Sequence, residues 1–217
     1  MKKYFVTLVA VMAVTTSVFA QNSDENKVTI SLAKKTDVLY TYIDNPLSIS
    51  VSGVPSEKVS VTISQGNISK LKGGEYTVLP KTTGIVTISV FTEIDGQRKN
   101  VGSKEYKVEQ LPVPIAKVFG KSGGSMEKEV LLAQRGVIAD MGGDFVFDLR
   151  YMVTQFTIVA STQDGEKNLV SNTPAFTAEQ KDLFASLNKG TKVTFKNIKA
   201  RGPDGVRDLK DIVFTIN

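Results

Sequence analysis

The sequence predicts a mainly β protein of two consecutive sandwich-like domains, and three observations support this fold class. Short runs alternate β-branched and polar residues with a period of two, which is the pattern of a strand buried on one face. Turn-forming glycine, proline and asparagine separate these runs at short intervals. A pair of prolines interrupts the pattern near the middle of the chain and divides it into two parts.

The first 20 residues have the layout of a secretory signal peptide. Lys2 and Lys3 precede an apolar run at 5–14, and residues 18–20 (Val-Phe-Ala) form a small-residue cleavage site. The apolar run is shorter than the roughly 20 residues that a spanning helix needs. We therefore expect export to the periplasm. The alternatives are an inner-membrane anchored chain that faces the periplasm and a protein on the cell surface.

The composition excludes several classes of function. The chain has no cysteine and no histidine, which excludes disulfides, thiolate nucleophiles, Ser-His-Asp triads and histidine-ligated metal sites. The net charge of +5 falls to +3 if Lys2 and Lys3 leave with the signal peptide, and no basic run is interleaved with aromatic residues. We expect no enzyme activity, no cofactor, no metal and no nucleic-acid partner.

The first domain is predicted at 26–110 as an immunoglobulin-like sandwich. The disulfide and tryptophan of antibody domains are absent, so the expectation is the general sandwich only. Tyr40 and Tyr42 are expected to share one strand face. Strict alternation predicts strands at 28–32, 47–51, 59–63 and 86–90, and turns are predicted at 44–46, 53–55, 65–67, 73–74 and 95–96.

The second domain is predicted at 118–217, after Pro112 and Pro114, as a β-rich domain with one short helix. Residues 145–159 predict one long strand that bends or bulges in its middle. Residues 177–187 predict the helix, because Thr177 and Gln180 have the spacing of a capping box. Further strands are predicted at 192–199 and 211–216, with a turn at 203–205 between them.

The stretch at 119–130 (FGKSGGSMEKEV) contains the Gly-Lys-Ser of a phosphate-binding loop but lacks the motif's first glycine. Prolines also precede it where that loop needs a strand. We therefore expect no nucleotide here. Gly123 and Gly124 are expected to allow positive φ, Ser125 to begin a short helical turn, and Lys121 to be a solvated or docking lysine.

Asp140, Asp144 and Asp148 recur at a spacing of four residues. The sequence lacks the alternate acids and closing glutamate of a calcium loop, so solvated turn acids are the expectation. A carboxylate pair for glycoside hydrolysis is the alternative that these residues leave open.

Three motifs occur in order along the stretches 38–64, 102–126, 137–158 and 198–216. Together they resemble the C-terminal periplasmic half of the GldM (PorM) family of gliding-motility and type IX secretion proteins. The residues that carry the resemblance are Asp44, Asn45 and Pro46, then Lys121, Gly123 and Gly124, then Pro203, Asp204, Gly205 and Arg207.

The resemblance implies two β domains at the distal end of a rod-shaped periplasmic shaft. In the family this rod dimerises and connects an inner-membrane motor to rings beneath the outer membrane. The chain is therefore expected to bind envelope proteins, including secretion-ring components, and to form a homodimer. The ten motif residues are expected to be structural, with a role in docking. The family's helical first periplasmic domain and the β domain after it are not found in this sequence, so the resemblance supports the distal docking end of the shaft and not the transmission of motor torque from the inner membrane.

The alternative function is a periplasmic or surface β module that binds a glycan or another ligand, because a fold does not by itself determine a function.

Overall fold

The computed structural model describes residues 27–33 and 38–217. The predicted signal peptide at 1–20 lies outside these described residues. The described chain forms two β units, the N-terminal unit (27–109) and the C-terminal unit (115–217). The segment 110–114 between them has no regular secondary structure.

The N-terminal unit is a sandwich of two four-stranded sheets. Its strands are β1 (Val28–Leu32), β2 (Val38–Tyr40), β3 (Asn45–Val51), β4 (Val59–Ile63), β5 (Asn67–Lys70), β6 (Glu75–Leu79), β7 (Gly84–Ile94) and β8 (Gln97–Glu109). The strand orders are β1-β3-β6-β5 and β2-β8-β7-β4. Neighbouring strands are antiparallel except β2, which runs parallel to β8.

Alternating side chains of these strands build the core between the two sheets. In β3 the apolar residues at 47, 49 and 51 are buried, and the serines between them are more exposed. The four strands predicted from strict alternation are confirmed. Asp95 and Gly96 form the predicted hairpin turn between β7 and β8, with φ angles of 54° and 73°.

The predicted turn at 44–46 lies elsewhere. Strand β3 already begins at Asn45, and the turn is formed by residues 41–43, where Tyr42 has a φ of 63°. Tyr40 ends strand β2 and Tyr42 lies in the turn. The expectation that these two tyrosines share a strand face is therefore wrong.

The segment 110–114 contains the two prolines that predicted a boundary. Leu111 and Pro114 are buried, whereas Pro112 and Val113 are exposed. Because neither proline can donate a backbone hydrogen bond, no strand continues through the segment.

The C-terminal unit is built on a six-stranded sheet. Its elements are β9 (Ile115–Lys117), β10 (Gly124–Met126), α1 (Lys128–Ala133), β11 (Ile138–Asp140), β12 (Met152–Thr162), β13 (Gly165–Ser171), α2 (Ala178–Ser186), β14 (Lys192–Gly202), β15 (Gly205–Asp208) and β16 (Ile212–Ile216). The sheet order is β10-β16-β14-β12-β13, with β15 paired to β14, and β9 and β11 form a separate ribbon.

Helix α2 is present as the sequence predicts, and it covers one face of this sheet. Thr177 and Gln180 form the predicted capping box, in which each side chain accepts from the other residue's backbone N–H. Phe176 and Phe184 pack against Phe195 of β14, with ring centroids 5.1 to 6.3 Å apart. Aromatic contacts of this kind bury a large apolar area and stabilise the attachment of the helix to the sheet.

The C-terminal unit differs from the sequence prediction in its second helix. Ser125 lies in strand β10 and does not begin a helical turn. Helix α1 follows instead, with Glu127 at its N-cap. Lys128 donates from Nζ to the carbonyl oxygen of Leu187 at 3.2 Å, which satisfies an otherwise unpaired carbonyl at the C-terminal end of α2.

One predicted strand start and one missed strand are further differences in this unit. Strand β12 begins only at Met152, because residues 143–150 form a turn and a loop. The predicted bend is present as irregularities in the pairing of β12 with β14, between Val153 and Thr157. The turn at 203–204 leads into β15, a strand that the sequence analysis missed.

The predicted fold class, mainly β with two consecutive sandwich-like domains, is confirmed. Each unit has its own cluster of buried apolar residues, one in each half of the chain. The domain bounds 26–110 and 118–217 stay a prediction, which this separation of the two cores supports. Among the described residues, neither helix is long and apolar enough to cross a membrane.

We predict that Gly136→Ala destabilises the C-terminal unit by about 3 kcal/mol, because a Cβ there would overlap the backbone. Gly136 forms a bridge with Ala175, and its Cβ would lie 1.9 Å from the carbonyl oxygen of Pro174. The measurement is the free energy of unfolding in urea. The control is Gly143→Ala, whose Cβ would meet nothing within 4 Å. Equal stability of the two variants would contradict this close approach.

Candidate functional site

The two units touch through three aromatic rings. Tyr40, at the end of β2, lies edge-on against Phe145 and Phe147 of the loop at 143–150. The centroid distances are 5.2 and 5.7 Å and the interplanar angles are 70° and 85°. The two phenylalanine rings lie 5.6 Å from each other. We call Tyr40, Phe145 and Phe147 the junction cluster. Edge-to-face contacts stabilise such a cluster beyond the area that it buries.

The buried side chain of Asn45 holds Tyr40 in position. Its Oδ1 accepts from the backbone N–H of Tyr40 at 2.8 Å, and its Nδ2 donates to the carbonyl oxygen of Tyr40 at 2.9 Å. The carbonyl oxygens of Ile43 at 2.9 Å and Val78 at 3.1 Å also lie within hydrogen-bond distance of Nδ2, whose two N–H groups are shared among the three acceptors. The amide is fully buried and both of its polar ends are bonded, so Asn45 ties β2 to β3 and β6.

A cavity of about 570 Å³ lies beside the junction cluster in the C-terminal unit. Its walls come from β11, the loop at 143–150 and the start of β12. It is lined by apolar and aromatic side chains together with a few charged groups, among them Ile138, Phe145, Phe147, Arg150, Tyr151 and Met152. A concave apolar surface with a few polar groups is the usual form of a ligand site.

On the far side of this cavity, Tyr151 is fixed by a buried ion pair. Its hydroxyl donates to Asp204 Oδ1 at 2.6 Å, and Arg207 Nε donates to Asp204 Oδ2 at 2.9 Å. The Asp204 side chain is only 2% exposed. Burial, followed by the hydrogen bond to Asp204, raises the pKa of Tyr151 well above its usual value. The hydrogen bond to Asp204 also raises the pKa of Arg207.

The glycines of the 202–207 motif make this arrangement possible. Gly202 has no side chain because a Cβ there would lie 2.2 Å from the ring of Tyr151. Gly205 has a φ of 102°, which L side chains rarely adopt, and it starts β15 directly after Asp204. Pro203 is exposed in the turn. The motif therefore packs the Tyr151 ring against the backbone and aims Asp204 at its hydroxyl.

Two of the three predicted motifs are connected through these contacts. Asn45 bonds Tyr40, and Tyr40 contacts Phe145 and Phe147. These two rings line the same cavity as Tyr151, whose hydroxyl is bonded to Asp204. Asp44 and Pro46 flank Asn45; the carboxylate of Asp44 accepts from Thr77 at the surface.

The remaining motif, formed by Lys121, Gly123 and Gly124, lies apart from these contacts. Lys121 forms a bridge with Val118, and its Nζ donates to the carbonyl oxygen of Ser125 at 3.1 Å. Gly123 and Gly124 have the expected positive φ angles, 144° and 99°. They lead into β10, which runs parallel to β16 at the edge of the sheet.

The three aspartates at 140, 144 and 148 do not converge on one point. Asp140 forms an ion pair with Lys117, and the hydrogen bond from Lys117 lowers the pKa of this carboxyl, helped by the N–H of Gly142. Asp144 and Asp148 are exposed. Within residues 27–33 and 38–217, no three acidic side chains are grouped closely enough to hold a metal ion.

Sequence reasoning missed the junction cluster and Tyr151. The alternation at 145–147 was interpreted as a strand, although Gly142, Gly143 and Asp148 flank these residues closely. A pair of aromatic residues between chain-breaking residues is the signal that indicates a packed loop. Tyr151 has no comparable signal, because its partner Asp204 is 53 residues away.

We predict that Asn45→Ala lowers the free energy of unfolding by about 3 kcal/mol, because it leaves several buried backbone groups without partners. Denaturation in urea measures this change. Asn100→Ala is the matched control, since Asn100 is exposed and accepts a single hydrogen bond, from the N–H of Gly102. A loss at Asn45 no larger than that at Asn100 would refute the role of this amide.

We predict that Tyr151 contributes to a loss of stability at alkaline pH. A raised pKa means that the fold favours the protonated phenol. Its contribution is therefore complete below the ordinary tyrosine pKa of about 10 and is lost as the pH rises above it. In Tyr151→Phe, the fall in the free energy of unfolding between about pH 10 and 12 becomes shallower. Tyr42→Phe is the control and keeps the parent slope, because Tyr42 is 51% exposed. An unchanged slope in Tyr151→Phe would contradict the prediction.

Comparison with solved structures gives only remote similarity. The bacteriophage RB49 outer capsid protein Hoc (three N-terminal domains) is 10% identical over 88% of this chain and 70% of its own, with a TM-score of 0.27. Domains 6–7 of the surface layer protein SbsC are 12% identical over 88% and 97%, with a TM-score of 0.29. The tandem Ig repeats of Dlar are 9% identical over 88% and 98%, with a TM-score of 0.26. At these TM-scores the similarities carry no argument.

Comparison with protein families is decisive. A family model described as the GldM third domain matches residues 27–109, and one described as the GldM C-terminal domain matches residues 112–217. No curated protein matches the chain. The GldM family works in the cell envelope, within the type IX secretion and gliding machinery. The two matches cover both β units in the order in which they occur, and the chain therefore belongs to the GldM family.

Proposed function

We propose that this chain is a non-enzymatic exported protein that binds other envelope proteins of the type IX secretion or gliding machinery. The observation that carries the proposal is the match of two consecutive GldM domains over residues 27–109 and 112–217. The chain would act as the distal part of a GldM-like shaft, with residues 26–110 and 118–217 as separate domains. Its location would be the periplasm, after removal of residues 1–20, with inner-membrane anchoring or surface exposure as alternatives.

The junction between the units supports a role as a stiff connector. The junction cluster gives the two units a packed aromatic contact, and Leu111 and Pro114 of the short segment 110–114 are themselves buried. A connector that transmits position between partners needs such a contact, because a flexible linker would let each domain turn independently.

Exposed apolar residues near this junction support a binding role. The ribbon of β9 and β11 presents Ile115 and Ile138 on its outer face, 46% and 56% exposed, beside the ion pair of Lys117 and Asp140. Phe119 is 58% exposed two residues beyond β9. Apolar side chains grouped on a surface and bordered by charges are typical of protein interfaces.

The motif residues enter this proposal in two roles. Asn45, Asp204 and Arg207 would stabilise the structure beneath the binding surfaces, because their side chains form internal hydrogen bonds. Lys121, beside Gly123 and Gly124, would be available for docking, since its ammonium group is exposed.

Site-specific crosslinking in living cells tests the proposed function. A photoreactive amino acid at Phe119 or Ile138 is expected to capture a secretion or gliding component in the host envelope. The same group at Lys81, an exposed lysine of the other unit, is the control position. Size-exclusion chromatography with light scattering tests the homodimer that the family suggests. Failure to capture any such component from any exposed position would overturn the proposal.

A second candidate function, binding of a glycan or another ligand, is favoured by the cavity beside the junction cluster. Its volume of about 570 Å³ and the rings of Phe145 and Phe147 suit a small ligand. A glycan array probed with the chain distinguishes the two functions. Binding to a defined glycan that is lost in Phe147→Ala would support the second candidate, and an array with no bound glycan would remove it.

A further inference from the structure

The outer face of the six-stranded sheet is a second candidate binding surface of the C-terminal unit. The inner face of this sheet packs against α1 and α2 in the core. The alternate residues of β12 and β14 point the other way and are partly or fully exposed, except Thr157 beside Lys196, which is buried.

A row of positive charges runs along the middle of this face. Strand β14 is the central strand, and its four outward cations are Lys192, Lys196, Lys199 and Arg201, which we call the basic row. Strict alternation would put Lys199 on the buried side, but a β-bulge at Asn197 inserts one residue. Asn197 has a φ of 54°, and after it Ile198 and Ala200 face the core. The row is about 30 Å long at the usual rise per residue.

Within the described residues, the side chains of the basic row have no ion pair and no hydrogen bond to a carboxylate. Asp208 stands opposite Lys199 in the pairing of β14 with β15, yet the two form no salt bridge. Glu166, at the far edge on β13, accepts from Asn168. Asp208 and Glu166 therefore lie in the same sheet without pairing with the row, and no cation of the row is neutralised by a direct salt bridge.

Apolar side chains border the row on both sides. Met152 and Val170 are 61% and 54% exposed on β12 and β13, and Val206 and Val213 are 50% and 44% exposed on β15 and β16. The register of the sheet puts Met152 and Val206 on either side of Arg201, and Val213 opposite Thr194. The surface thus combines unbalanced charge with exposed apolar area, as the surfaces that bind proteins do.

We propose that the outer face of this sheet docks a protein partner through an acidic polypeptide segment that lies along the basic row. The argument is charge complementarity: four cations in line form no salt bridge within the described residues, and Asp208 is the one acid directly opposite them in the strand pairing, so the partner supplies further carboxylates. The exposed valines and Met152 then pack against apolar side chains between the acids of the partner. This inference rests on the proposed function, because it names the chemistry of one envelope partner.

An anionic lipid surface fits this face less well than an acidic protein segment. The row lies on a strand in the centre of a sheet, and its apolar neighbours are mostly valines, whose side chains are shorter than the lysine stems between them. Valine methyl groups therefore cannot enter the acyl region while the lysine ammonium groups stay at the headgroups.

Binding of fluorescein-labelled poly-L-glutamate to the full chain, followed by anisotropy at low and physiological ionic strength, tests the inference. The row variant replaces Lys192, Lys196, Lys199 and Arg201 by glutamine and is expected to bind roughly tenfold more weakly or worse. The control variant replaces Lys58, Lys72, Lys81 and Lys99 of the N-terminal unit by glutamine; these lysines are exposed, and the variant loses the same net charge. It is expected to bind like the parent.

A charge-preserving variant distinguishes the loss of the row's charge from a folding defect. Replacement of the three row lysines by arginine keeps the charge and is expected to keep binding, while urea denaturation checks that all variants fold. Equal weakening in the row and control variants would show attraction by net charge alone and would overturn the inference. Absence of binding by the parent chain would also overturn it.

Binding of the parent and of the row variant to vesicles of phosphatidylglycerol and phosphatidylethanolamine is the second measurement. Row-dependent binding to these vesicles, without row-dependent binding to poly-L-glutamate, would assign the face to a membrane and overturn the protein partner.

The inference and the proposed function can fail separately. If secretion components crosslink to the chain and the row variant captures them as well as the parent does, only the basic row loses its role. If none crosslinks at all, the proposed function fails first.

Discussion

The contact of Tyr40 with Phe145 and Phe147 is the interaction on which the arrangement of the two units depends. The segment 110–114 is short and has no sheet or helix of its own, so it cannot set the orientation of the units alone. The aromatic rings join the end of β2 to a loop of the C-terminal unit, more than 100 residues further along the chain. Because the loop at 143–150 also forms a wall of the cavity of about 570 Å³, the same contact helps to shape this cavity.

Buried polar groups fix one tyrosine in each unit, Tyr40 and Tyr151. The chain has no cysteine, so the covalent bridge of many exported sandwiches is absent. Asn45 instead bonds the backbone of β2, β3 and β6 around Tyr40. Asp204 and Arg207 fix Tyr151 behind the cavity. Hydrogen bonds of this kind are directional, and a buried partner left unpaired is costly, so they specify one position for each ring more sharply than apolar packing does.

Local irregularities of the strands decide which side chains reach the surface. The bulge at Asn197 brings Lys199 and Arg201 to the same face as Lys192 and Lys196, and the chain's modest net charge becomes a continuous basic row. The sequence shows only interspersed charges here, because the period of the strand is interrupted where the row is assembled. The absence of a basic run in the sequence is therefore compatible with a basic surface in the fold.

The sequence by itself determined the fold class, most strands, the capped helix α2 and the family, because each rests on patterns within a few residues. Alternation, turn chemistry and capping are short-range effects, and the motifs around Asn45 and Asp204 are readable without their partners. Only the tertiary structure decided that residues 145–150 form a packed loop, that Asn45 and Asp204 bond residues beside one cavity, and that β14 presents a basic row. Each of these depends on contacts between distant residues or on a bulge in pairing, and such long-range packing overrides the local periodicity from which a sequence is interpreted.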